Sequence, residues 1–152
     1  MNFEEVLATT RTAWDPAMSH EEYTALLNQL LEAERAGAKL LSAYLDELPP
    51  DSAQAACIRA VQRDEAHNCA VLIHLLLEAE AAPTPAVGSF YGRGLAIAGW
   101  RERLEFLNKG QAWVARRLAA ALPRLPVSAR HALQEMHDSH LSNIEACGAL
   151  LD

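Results

Sequence analysis

Apolar residues recur along this chain every three or four positions, the period of helices that each bury one face. In the first such stretch they are Tyr23, Leu27, Leu30, Leu31, Ala38, Leu41 and Leu45. Ser19-His20-Glu21-Glu22 has the Ser-x-x-Glu form of a capping box and opens this helix, which runs to about Leu48 and stops at Pro49-Pro50. Asp51-Ser52-Ala53-Gln54 opens a second helix, reaching about Glu80, with Cys57, Ile58, Val61, Val71, Leu72, Leu75 and Leu76 inward. The turn between them is short, so the two are antiparallel neighbours. Residues 81–92 then carry two prolines, two glycines and no helical period. A dozen extended residues reach roughly 40 Å, enough to travel the length of a helix of about 25 residues. Such a crossover makes the second and third helices parallel. The third covers roughly Gly94 to Leu122, with Ile97, Trp100, Leu104, Leu107, Val114 and Leu118 inward. The fourth opens at Ser128 and runs to the C-terminus with Leu133, Met136, Ile144, Cys147 and Leu151 inward. Ahead of all four, Met1 to Trp14 reads as a short helix broken at Asp15-Pro16. The expected division is an N-terminal segment, 1–18, and one all-α domain, 19–152, of two antiparallel hairpins joined by a long crossover.

Each stripe is interrupted by polar residues near its middle. Glu34 sits at the centre of the first, within about 20° of Leu27, Leu41 and Leu45 in helical projection. Glu32 shares a different face with Asn28, Arg35 and Lys39, and that face is expected to be solvated. On the second helix Asn68 is nearest the centre, Asp64 and Glu65 flank it on either side, and His67 is further off. Asn108 and Gln111 lie inside the third stripe with Glu105 on its edge; His140 is central on the fourth, with His137 beside it. Counted from the predicted helix ends, these intrusions share one depth. A carboxylate in a core stripe is costly unless it is paired, protonated or bound to metal.

Composition narrows the function classes. A net charge of −7 and the lack of any basic stripe argue against nucleic acid or an anionic membrane as partner. The longest apolar run, Ala70 to Leu77, contains His74 and is too short to span a bilayer. The N-terminus shows no charged region followed by an apolar one, so a cytoplasmic protein is expected. Three widely spaced cysteines (Cys57, Cys69, Cys147) suit reduced thiols packed as small core residues. There is no phosphate-binding glycine loop, Cys-x-x-Cys, nucleophile elbow or His-Glu-x-x-His. Arg101-Glu102-Arg103 reads as a solvated helix start. Phe106 and Trp113, seven apart on the outer side of the third helix, are a candidate homodimer patch, or a seat for the crossover or the N-terminal segment.

With its two hairpins, long crossover and mid-plane polar layer, residues Ser19 to Asp152 resemble the ferritin-like superfamily, whose four-helix bundle carries Glu, Glu-x-x-His, Glu and Glu-x-x-His on successive helices. Glu34 matches the first glutamate. Asp64-Glu65-Ala66-His67 offers Asp-x-x-His, Glu102 and Glu105 offer the third-helix carboxylate, and His137-Asp138-Ser139-His140 offers His-x-x-His. The spacing is similar to that of rubrerythrin-like members. Local stretches such as Ala33-Glu34-Arg35-Ala36-Gly37 and Phe106-Leu107-Asn108-Lys109-Gly110-Gln111 look like a small bacterial group of ferritin-like domains of unknown function. The resemblance implies a dinuclear iron or manganese site and oxidoreductase chemistry with oxygen or peroxide. Its candidate ligands are Glu34, Asp64, Glu65, His67, Glu105, His137 and His140.

Glu-x-x-His itself occurs nowhere in the chain. A second register runs through Glu65-x-x-Asn68, Glu105-x-x-Asn108 and His140-x-x-Asn143. In that alternative Glu34 and His140 form a buried pair braced by Asn68 and Asn108, no metal is needed, and the bundle serves as a binding or structural protein. What meets Glu34 inside decides between them. Further carboxylates require a metal or shared protons, whereas one histidine does not.

Overall fold

The computed structural model describes residues 17–152, so the helix expected in Met1–Trp14 lies outside the described residues. The described chain is all-α. Its helices are α1 (His20–Leu45), α2 (Ala53–Glu78), α3 (Phe90–Leu95), α4 (Trp100–Ala121) and α5 (Val127–Ala149), with a 3₁₀ turn at Leu122–Arg124. No helix among the described residues is long and apolar enough to cross a membrane.

Capping chemistry sets the helix starts. The Ser19 side chain accepts from Glu22 N while the Glu22 carboxylate accepts from Ser19 N, the reciprocal box expected for α1. Ser52 caps α2 by accepting from Ala55 N. Two starts differ from the sequence reading. The third long helix begins at Trp100, six residues after Gly94, because Gly99 adopts an extended conformation (φ −83°, ψ 140°) and serves as its N-cap. The residues before it form the separate short α3, and Ile97 falls outside any helix. α5 begins at Val127, with Pro126 rather than Ser128 at its N-cap.

Hydrogen bonds between helix ends fix the directions. His20 Nε2 meets the Ala79 carbonyl, and Met18 N donates to the Arg124 carbonyl, so α1 starts where α2 and α4 end. At the other end Tyr44 Oη donates to the Gly94 carbonyl and Arg101 to the Leu151 carbonyl. α1 and α5 therefore run one way and α2 and α4 the other. The segment between α2 and α4, residues 79–99 with the short α3 inside it, travels the full length of the molecule.

That crossover is held by a face expected to be solvated. Asn28 donates to the Ala82 carbonyl and accepts from Thr84 N, and Arg35 Nη1 donates to the carbonyls of Thr84 (2.7 Å) and Ala86 (2.8 Å). Further along, Phe90 stacks on Phe106 with ring centroids 4.4 Å apart, so one of the two outer aromatics of α4 is covered by the crossover. Gly110 permits this, because a Cβ there would lie 2.6 Å from the Phe90 ring. Arg103 is not solvated either. Its guanidinium lies over the rings of Tyr44 and Trp100, donates to the Ile97 carbonyl and pairs with Glu47 at 2.7 Å.

The core has two apolar clusters. One gathers Leu27, Leu30 and Leu31 of α1, Leu72 of α2, Val114 and Leu118 of α4 and Leu133 and Met136 of α5. The other gathers Leu40, Leu41 and Tyr44 with Ile58, Val61, Leu104, Leu107 and Cys147. Apart from Arg103, the buried polar residues of the long helices are Glu34, Glu65, Asn68, Gln111 and His140, which lie between the two clusters.

Arg35→Ala removes two charge-assisted bonds to the crossover, each type worth about 1.5–3 kcal/mol. The expected result is a loss of roughly 2–4 kcal/mol in chemical denaturation, with new proteolytic cleavage confined to residues 80–89. Unchanged stability and an uncut crossover would show that Asn28 and the Phe90 stack hold it alone.

Candidate metal centre

Each long helix sends at least one polar side chain into the layer between the apolar clusters. Glu34 of α1 is 1% exposed and His140 of α5 is 1% exposed. Their Oε1 and Nε2 atoms approach to 2.7 Å. His140 is oriented by its own helix, since Nδ1 lies 2.7 Å from the Met136 carbonyl four residues back. A carbonyl only accepts, so Nδ1 carries a proton and Nε2 is the atom presented to Glu34. Nε2 and Oε1 thus meet as a buried ion pair, and neither has any other partner.

Glu65 of α2 is the third member. Gln111 of α4 donates to its Oε1 at 2.6 Å, leaving Oε2 buried and unpartnered. The carboxyl lies against α1 at Gly37, where a Cβ would stand 2.1 Å from Oε2. Only glycine leaves space for it, which gives this mid-helix glycine its purpose despite a cost of about 1 kcal/mol relative to alanine. Glu34, Glu65 and His140 each offer a donor atom, and these atoms all lie within 4.8 Å of one another. All six unpartnered buried side-chain N and O atoms among the described residues belong to this polar layer: those of Glu34, Glu65, His140, Asn68, Asn108 and Gln111.

The other sequence candidates stand outside the cluster, each for a local reason. Asp64 is half-buried and accepts from Ser139 Oγ and Asn143 Nδ2, so it bridges α2 to α5. His67 points to solvent. Glu105 is exposed and pairs with Arg101 one turn earlier on α4, at 3.3 Å. His137 turns to Asp138 (3.0 Å) on its own helix. Of the two competing carboxylates on α2, Glu65 is the one that faces inward. Asn68 is buried as expected, while Asn108 is half-buried and reaches the Ile144 carbonyl. Gln111, read only as part of the α4 stripe, is that helix's contribution to the site.

Burial, the neighbouring Glu34 and Asp64 together push the Glu65 carboxyl well above the usual carboxylate range, against the lowering bond from Gln111. For His140 burial opposes protonation. Contact with Glu34, its charge, the Met136 carbonyl and Asp64 outweigh that and raise the imidazole above its ordinary value. Cys69 is near enough to feel Glu34 and Glu65, but burial and those charges push its thiol up to about 11, so it is not a thiolate donor. A cleft of about 510 Å³ connects this layer to the surface. Glu34, Glu65 and Gln111 line its buried part, and the exposed Arg93, Lys109 and Trp113 line its opening.

Both raised groups hold protons in the folded chain that the unfolded chain releases, near pH 4.3 for a glutamate and 6.5 for a histidine. Their stabilisation is complete below those values and is lost as pH rises through the folded ones. Chelator-treated protein should therefore lose up to ~1.4 kcal/mol per pH unit per group as the pH rises above about 4.3 for Glu65 and about 6.5 for His140, or about 2–4 °C in Tm for each kcal/mol. Glu65→Gln should melt with a shallower pH dependence. Parallel curves would mean that Glu65 carries no extra proton.

No curated protein and no solved structure matches this chain. Residues 21–149, nearly the whole described domain, match the family model described as a domain of unknown function, DUF6306, and the chain belongs to that family.

Proposed function

We propose that the domain is a ferritin-like four-helix bundle whose mid-plane holds one divalent transition-metal ion, iron or manganese, on Glu34, Glu65 and His140. The observation that carries this reading is the convergence of three buried side chains, each offering one donor atom within 4.8 Å of the others, where Glu65 Oε2 has no partner and Glu34 Oε1 and His140 Nε2 have only each other. An unpartnered buried polar atom costs about 1–3 kcal/mol, and more when charged. Glu65 Oε2 is such an atom, and the Glu34–His140 pair beside it supplies the other two donors that one ion would need. Donors on one ion each stand about 2.0–2.2 Å from it, so no two are more than ~4.4 Å apart. A spread of at most 4.8 Å is within small rotamer adjustments of that limit. His140 has the second bond typical of a metal-bound imidazole, from Nδ1–H to a backbone carbonyl.

The donors favour one ion over the dinuclear centre that the family resemblance implies. Asp64, Glu105, His67 and His137, which a second ion would need, are turned to other partners or to solvent. Carboxylate and imidazole donors suit iron and manganese, and the ion when bound supplies Lewis acidity and, for iron, electrons for oxygen or peroxide chemistry. The chain supplies the rest. Gln111 fixes the Glu65 carboxyl, the Met136 carbonyl fixes the His140 tautomer, and the two apolar clusters exclude water from above and below. The cleft admits a small molecule from the Arg93–Lys109 side.

A metal-free reading has one observation of its own. The raised Glu65 and His140 let protons alone neutralise the cluster. Elemental analysis of protein purified without chelator or metal-affinity resin separates the two. About one iron or manganese per chain is expected, lost in Glu34→Ala and His140→Ala. Saturation at a hundred times Kd should raise stability by ~2.7 kcal/mol. Gly37→Ala, which changes no ligand but displaces Glu65, should weaken binding by about 10–100-fold. No metal above background, even after anaerobic loading with iron(II) or manganese(II), would overturn the metal site and leave a proton-sharing structural layer.

A further inference from the structure

Cys57 and Cys147 meet at the end of the molecule where α2 begins and α5 ends. Their Sγ atoms are 2.9 Å apart, and both cysteines are free. That is closer than the roughly 3.5–4.0 Å at which non-bonded heavy atoms rest, and longer than the ~2.05 Å of a disulfide. The two differ in access. Cys57 is half-buried on α2, whereas Cys147 is 2% exposed within the second apolar cluster. They differ in proton affinity as well. The hydrogen bond from Cys147 lowers the Cys57 thiol to about 7 against the effect of burial. The same bond, with burial, raises Cys147. One sulfur is a reachable nucleophile and the other a protonated thiol held against it.

We infer that Cys57 and Cys147 form a redox-active dithiol that hydrogen peroxide oxidises to a disulfide between α2 and α5, Cys57 attacking and Cys147 resolving. The half-buried position of Cys57 admits a small hydroperoxide better than a bulky disulfide. The Cys57 thiolate attacks one peroxide oxygen, the O–O bond breaks, and hydroxide leaves to become water, giving the sulfenic acid. The Cys147 sulfur then attacks the Cys57 sulfur, the S–O bond breaks, and the hydroxyl leaves as water with the Cys147 proton. Two thiols lose two electrons in total, and one peroxide becomes two waters. Nothing in this chemistry needs the metal. It does join the two helices that carry Glu65 and His140, each about two helical turns from its cysteine.

Cys69 serves as an internal control, since its thiol is pushed up to about 11 and has no sulfur partner. The test treats full-length protein with hydrogen peroxide in the presence of chelator, then counts alkylatable thiols after denaturation and maps linked peptides by mass spectrometry. The three free thiols of the reduced chain should fall to the single Cys69, with a Cys57–Cys147 linked peptide that dithiothreitol releases. Cys147→Ser should stop at a Cys57 sulfenic acid trapped by a dione reagent, and Cys57→Ser should form no disulfide. Three thiols surviving treatment, a disulfide through Cys69, or equal oxidation of the Cys57→Ser variant would each overturn the assignment. The wild-type thiol count alone decides the question if a variant fails to fold.

Discussion

Everything in this domain is arranged around the burial of one carboxyl group, that of Glu65, against the backbone of α1. Removing a carboxyl from water without compensation is among the largest penalties a fold can carry. Here the group reaches its place only because Gly37 has no side chain, and it stays there because Gln111 donates to one oxygen. Apolar packing flanks the layer on both sides. Leu27, Leu30, Leu31, Leu40 and Leu41 of α1 are fully buried, and each such side chain contributes about 1.5–3 kcal/mol. Leucines above and below thus offset a polar layer that would be expensive on its own.

The crossover is coupled to the same layer through adjacent residues of α1. Glu34 points inward to His140, and Arg35 points outward to hold Thr84 and Ala86. Because the crossover runs the length of the molecule, α4 arrives antiparallel to α1, and Gln111 comes to the level of Glu65. The crossover then passes over the cleft, where Gly88, Ser89, Phe90 and Arg93 form part of the lining. One helical turn of α1 thus places both a floor residue of the cleft and the anchor of its cover. A change that loosens the crossover is felt at the opening of the site before it is felt in the core.

Much of this was legible without coordinates, and the exceptions have physical causes. Capping signals and apolar periodicity locate the long helices. Projection picks out Glu34 and His140 because each lies at the centre of its stripe. Asp64 and Glu65 flank the centre of theirs about equally, so periodicity on α2 cannot separate them. The deciding feature is Gly37 on another helix, visible as an odd mid-helix glycine, but its partner is defined only by packing. Glu105 lies on the edge of its stripe, and in the folded chain that edge is exposed, where it pairs with Arg101 four residues earlier on α4. The Asn28–Arg35 face reads as solvated because a proline-containing segment has no period to reveal where it lies. Cys57 and Cys147 are 90 residues apart and come together only through α2–α5 packing.

Gln111 is the residue on which the chemistry of the proposed site turns. Where the ferritin-like pattern expects a carboxylate from the third helix, this chain buries an amide. That choice removes one negative charge from the layer. Two carboxylates and a neutral imidazole balance a single divalent ion in a medium where any surplus charge is costly. With a third carboxylate at position 111, the layer would need a second cation or another shared proton. Asp64 is not a third carboxylate ligand, since Ser139 and Asn143 hold it between α2 and α5. The amide also does what a carboxylate cannot, donating to Glu65 Oε1 and leaving Oε2 without a hydrogen-bond partner. Charge count and hydrogen-bond direction therefore favour the same stoichiometry, one ion on three ligands from three of the four helices, with the fourth helix orienting one of them.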